Sequence, residues 1–134
     1  MPDPTIPTPG TLAALIALLR QYPPADPEDP ACAIFRIRLT PALAQQLIDV
    51  EPNRGVQPWE AEKVAHMIRS GEWDAAVIPP MLLTDTLKMW RGGTRIRAVV
   101  LSGVAIDTRI ARIPDLPWMG GGIKPPVSPP GLPA

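Results

Sequence analysis

The stretch Met89–Val104, "MWRGGTRIRAVVLSGV", sets two adjacent glycines between a tryptophan and an arginine-studded segment that then turns apolar. Its opening residues read as the end of a strand. From Arg95 to Leu101 the apolar residues Ile96, Val99 and Val100 recur at helical spacing, which predicts a short helix with those three inward, and Ser102-Gly103 stops it. Gly92-Gly93 therefore joins a strand to a helix. Such a pair has two readings: a plain turn, or a gap in the side-chain surface through which an anion reaches main-chain amides at the helix start, where several N–H groups lack an internal acceptor.

The neighbouring segments supply the rest of a sheet and its cover. "VIPPMLLTDTLKMW" reads as a strand, a tight turn at Asp85-Thr86 and a second strand running into the glycines. "AIDTRIARI" supplies a last strand, with Ile106, Thr108, Ile110 and Arg112 on one face and Ala105, Asp107, Arg109, Ala111 and Ile113 on the other. Upstream, a helix is expected from Pro58 to Ser70-Gly71, with Val64, Met67 and Ile68 on one side and Trp73 closing over the core. The loop before it, "EPNRGVQP", holds Asn53 and Arg54. Thr40 as cap and Pro41 as first residue open an earlier helix to about Val50, with Leu43, Leu47 and Ile48 inward. "IFRIRL" alternates Phe35, Ile37 and Leu39 with Arg36 and Arg38, a half-buried strand with both arginines on its outer face. Together these make an α+β domain over residues 32–113, a mixed sheet with short helices.

Of the twenty prolines, eight lie in residues 1–30 and seven in 114–134, which leaves about 85 residues for the domain. Residues 1–10 are expected to be a flexible N-terminus, 23–31 a proline-rich linker, and 114–134 a flexible Pro/Gly-rich tail able to wrap a partner. Between them, Thr11 caps an appended helix over 11–22, with Leu12, Leu15, Ile16 and Leu19 on one face. That face has two uses: packing on the domain, or docking a protein partner.

Formal charge is zero, yet residues 86–113 carry Lys88, Arg91, Arg95, Arg97, Arg109 and Arg112 against Asp107 alone. A local basic region of this kind attracts phosphate or nucleic acid, or is a solvated face. Cys32 and His66 are single copies, which excludes an intramolecular disulfide and the usual zinc sites; Cys32 reads as core and His66 as a surface or packing residue. No apolar run is long enough to cross a bilayer. "TLAALIALL" lacks the basic lead and cleavage site of a secretory signal, so no membrane association and a cytoplasmic location are expected. Ten arginines to three lysines fit a gene of high GC content, as in an actinobacterium or its phage.

The order strand, helix, Asn-Arg loop, helix ending in Ser-Gly-x-Trp, hairpin, glycine loop, short helix and strand resembles the ParB/sulfiredoxin-like superfamily over Ile34 to about Ile113. More narrowly it is similar to the small ParB-like nuclease-domain proteins of actinobacteria and their phages. "MIRSGEW" matches the ending of the family's helix and "VVLSGV" the segment after its Asp-Gly-Gln-His-Arg signature. The signature itself is altered to Arg91-Gly92-Gly93-Thr94-Arg95. Gly92, Arg95 and Ala98 are retained, while Arg91 and Thr94 replace the aspartate and histidine, and Gly93 stands where a sulfiredoxin has its reactive cysteine.

What the resemblance implies is a fold of ParB/sulfiredoxin type that binds rather than catalyses. The partition-protein branch holds a nucleoside triphosphate on a Gly-x-x-Arg loop, a pattern that Gly92-Gly93-Thr94-Arg95 satisfies. Gly92, Gly93, Thr94, Arg95 and Arg91, with Asn53 and Arg54 at the border, are the expected ligand-binding set; Arg36, Arg38 and Arg97 would extend it toward nucleic acid. Trp90 either stacks on a base or packs in the core. The alternatives are a degenerate scaffold, adaptor or phage host-interaction protein, using the 11–22 helix or the tail, and a nuclease or nucleotide hydrolase using Asp85 and Asp107. A homo-oligomer is left open.

Overall fold

The computed structural model describes residues 6–25, 34–50 and 56–115. Cys32, Asn53, Arg54, most of the expected linker and nearly all of the expected tail lie outside the described residues. The elements in chain order are α1 (Leu12–Leu19), β1 (Phe35–Leu39), α2 (Pro41–Val50), α3 (Pro58–Arg69), β2 (Met81–Leu83), β3 (Met89–Arg91), α4 (Gly93–Ser102) and β4 (Ile106–Arg112). Four helices and a four-stranded mixed sheet make an α+β architecture.

The sheet order is β1-β4-β2-β3, so the last strand lies inside the sheet. It runs antiparallel to β1, with Phe35 opposite Ile110 and Leu39 opposite Ile106, and parallel to β2, with Met81 opposite Ile110. Strand alternation then divides the sheet into two faces. Ile37, Leu39, Ile106, Ile110 and Met81 join Leu43, Leu47, Ile96 and Val99 of the helices in the main core. On the opposite face Leu82, Ala111 and Ile113 form a smaller cluster with Ile34 and Trp90 against it.

Local chemistry sets the helix starts as expected. Thr40 Oγ1 accepts the Leu43 N–H at 3.2 Å and Thr11 Oγ1 the Ala14 N–H at 3.1 Å, each satisfying a donor that the first turn leaves open. α4 starts two residues earlier than its apolar spacing suggests, at Gly93, because the backbone turns helical as soon as it leaves β3. The hairpin turn is also wider than a tight turn at Asp85-Thr86. Leu87 takes a left-handed conformation (φ 66°) and is buried, and the side chain of Thr84 organises the loop by accepting the Thr86 and Lys88 N–H groups at 3.3 and 3.0 Å.

α1 ends at Leu19 rather than Tyr22, and its apolar face packs into the core, the first of the two uses considered for it. Leu15 and Leu19 have no exposed surface, and the Tyr22 ring stacks on Phe35 with centroids 4.0 Å apart. Burying two leucines contributes roughly 3–6 kcal/mol in apolar transfer, so the face considered for a protein partner is turned inward. Just before α1, the Pro7 carbonyl accepts the Arg38 N–H at 2.9 Å, covering part of the outer edge of β1. After α1, Ala25 is buried and donates its N–H to the Arg112 carbonyl at 2.7 Å. Among the described residues no helix is long and apolar enough to cross a membrane.

Candidate functional site

Gly92 is the N-cap of α4 with φ 126° and ψ 0°, a backbone conformation closed to side-chain-bearing residues. A Cβ there would lie 2.9 Å from Met81 Cγ. The glycine thus has a packing reason of its own: it lets the β3–α4 corner close over β2. The first α4 bond is donated by Ile96 to the Gly92 carbonyl at 3.1 Å, and no side chain caps the helix. The N–H groups of Gly93, Thr94 and Arg95 therefore precede the helical ladder at the positive end of its dipole.

A cavity of about 190 Å³ opens in front of this corner, lined by Gly92, Thr94 and Arg95 on one side and by Val64, Met67, Trp73 and Ile78 on the other. Its walls are mainly apolar, with the polar groups gathered at the α4 start.

Arg95 is the residue whose placement departs most from a projecting anion grip. It is 8% exposed, its Nη1 donates to Thr108 Oγ1 at 2.8 Å, its Nη2 donates to the Pro79 carbonyl, and its guanidinium lies 5.2 Å from the Trp73 ring centre. Both acceptors are neutral. Burial first, then the charges of Arg109 and Arg91, push the guanidinium below its ordinary value to about 10, so it still carries its proton at neutral pH. Two of its five donors are used inside the protein, and the side chain remains on the cavity wall. Arg91, expected in the ligand-binding set, is exposed at the end of β3 and is not among the residues lining this cavity.

The other expected residues separate into different places. Arg97 is part-buried on α4 and donates back to the Gly93 carbonyl at 3.2 Å. Arg36 and Arg38 lie on the outer face of β1, where Arg38 Nη2 is 3.1 Å and Arg36 Nη2 3.8 Å from the Asp107 carboxylate. They line a second, more polar cavity of about 380 Å³ with Asp107 and Asp74. Asp107 Oδ1 is buried there, and the approach of Arg38 is too oblique to make a hydrogen bond to it. The three arginines expected to form one nucleic-acid surface are thus divided between two regions, and two of them share a carboxylate. Trp90 packs on the small cluster of the opposite face, the core reading of that residue. Asp85, a carboxylate that a hydrolase would need, is bracketed by Arg20 and Arg112, each at 3.3 Å. Among the described residues no group of three or more His, Cys, Asp or Glu could hold a metal.

Trp73, Thr108 and Arg109 are the site residues that sequence reasoning did not assign. Trp73 lines both cavities and donates its indole N–H to the Asp107 carbonyl at 2.9 Å. Its place after the Ser-Gly helix stop was visible; that it would separate two cavities was not. No family model, curated protein or solved structure matched the chain.

Proposed function

We propose that the chain is a ParB-like binding module that takes a phosphate group, of a nucleotide or of DNA, at the start of α4, without catalysing a reaction on it. The observation that carries this reading is one buried guanidinium, that of Arg95, on the wall of a cavity at a helix start. The Arg95 guanidinium is desolvated and feels the charges of Arg109 and Arg91, its two acceptors, Thr108 Oγ1 and the Pro79 carbonyl, are neutral, and the first amides of α4 adjoin it. An anion in the cavity would offset that mutual repulsion. The volume of about 190 Å³ lies below the roughly 300–1,000 Å³ of sites that enclose a drug-sized ligand, so a phosphate is held and the sugar and base extend outward. Two or three charge-assisted hydrogen bonds at roughly 1.5–3 kcal/mol each, less the cost of association, give dissociation constants on the order of micromolar to millimolar.

Calorimetric titration with pyrophosphate and nucleoside triphosphates, together with DNA gel shifts at several salt concentrations, tests it. Expected are weak, salt-sensitive binding and its loss in Thr94→Glu, which sets a carboxylate on the cavity wall without touching the strained Gly92 backbone. Binding indifferent to salt, or none at low salt, removes the reading.

The scaffold reading is favoured by a different observation: Met81 packs beneath Gly92 and Arg95 bonds inward, so both signature residues have structural employment without a ligand. Absence of phosphate and DNA binding in a well-folded chain would select it.

A further inference from the structure

Between Trp73 and β2 the chain makes a short irregular segment, residues 74–80, whose own bonds are few: Asp74 accepts the N–H groups of Val77 and Ile78 on its carbonyl, and that of Ala76 on Oδ1 at 2.9 Å. Its remaining hold comes from two arginines. Arg109 Nε donates to the Ala75 carbonyl at 2.8 Å and Arg109 Nη2 to the Ile78 carbonyl at 2.7 Å, while Arg95 Nη2 donates to the carbonyl of Pro79.

The geometry follows from β4. Thr108 and Arg109 are consecutive, so they point to opposite faces of the sheet. Arg95 reaches the segment from the helix-covered face, where it also holds Thr108, and Arg109 reaches it from the other. Residues 74–80 lie where β2 would continue beside β4, and the two guanidiniums grip them from both faces. The segment in turn supplies Ile78 to the cavity at α4 and carries the carbonyl that anchors Arg95, whereas Arg109 lines neither cavity.

We infer that Arg109 is a positioning residue of the anion site: by forking onto Ala75 and Ile78 it fixes the 74–80 wall and, through Pro79, the guanidinium of Arg95. Its effect on binding rests on the proposed phosphate reading; its grip on the segment does not. Two carbonyls three residues apart require a planar donor fork, which arginine supplies and lysine, a single flexible ammonium, does not.

Arg109→Lys and Arg109→Ala separate this role from plain electrostatics. Pyrophosphate affinity is measured by calorimetry, and amide hydrogen exchange of Ala76, Val77 and Ile78 is followed in the unliganded chain. Arg109→Lys keeps the charge, so the expected result is an affinity loss of about tenfold, as for one charge-assisted bond, with faster exchange confined to the segment and unchanged exchange in α2. A lysine variant that binds and exchanges like wild type would show that charge alone matters and would overturn the role. Exchange that rises equally in α2 and the segment would make Arg109 a general stability residue and overturn it as well. A wild-type chain with no pyrophosphate affinity overturns the phosphate reading and the positioning role together, and the exchange data then report the grip alone.

Discussion

At the scale of single residues, Gly92 shows how one position satisfies two demands. Its φ of 126° excludes a side chain, and the space a Cβ would take is filled by Met81. Gly92→Ala should therefore destabilise the fold by about 1–3 kcal/mol from backbone strain alone, with a further loss as Met81 shifts; a urea melt unchanged from wild type would contradict this. Arg95 is the converse case. Expected from sequence to hold a ligand, Arg95 is a buried strut between Thr108 and Pro79, because a guanidinium at the first turn of α4 meets the loop ahead of β2 before it meets solvent. Its charge still counts at the cavity, since a lowered pKa of about 10 leaves it protonated across the neutral range.

At the scale of elements, the β2–β3 hairpin and α1 each rest on a few identifiable contacts. Thr84 is fully buried, and its hydroxyl accepts from two turn N–H groups while sharing a hydrogen bond with Thr86 Oγ1. Thr84→Val keeps the volume and strands those donors, an expected cost of about 1–3 kcal/mol. Asp85→Ala one residue on, which removes partly exposed ion pairs to Arg20 and Arg112, should cost about 0–1 kcal/mol. Equal losses for the two variants would show that the turn is held by its charges and not by the hydroxyl. In α1, Leu19→Ala should lower stability by about 2–5 kcal/mol, read as a shift in the denaturation midpoint; a surface docking helix would lose almost nothing.

At the scale of the whole molecule, the mixed sheet explains where the charges go. β4 is central, so its polar residues cannot all reach solvent, and each finds a partner of a different kind: Asp107 between two arginines, Thr108 on Arg95, Arg109 on two carbonyls, Arg112 on Asp85 and the Tyr22 carbonyl. The basic region counted along residues 86–113 is thereby divided by the sheet into separate places. Any salt-dependent binding should then come from the α4 corner, and a slope of log affinity against log salt of about −1, one phosphate contact, is expected for DNA. A slope several times steeper would require the β1 arginines to act with it.

Much of the architecture was legible in local order. Alternation in 34–39 and 105–113, helical spacing in 11–22, 41–50 and 58–70, the caps Thr11 and Thr40 and the break at Gly92-Gly93 each depend on contacts a few residues apart, and a chain carries those in its own sequence. What folding alone decided were the long-range assignments: that β4 enters between β1 and β2, that α1 closes the core, that Arg95 turns inward, and that Arg109 grips a segment more than thirty residues before it in the chain. Periodicity gives the face on which a side chain stands but not which carbonyl or cavity waits opposite, because that depends on how separate elements come together to bury their apolar faces.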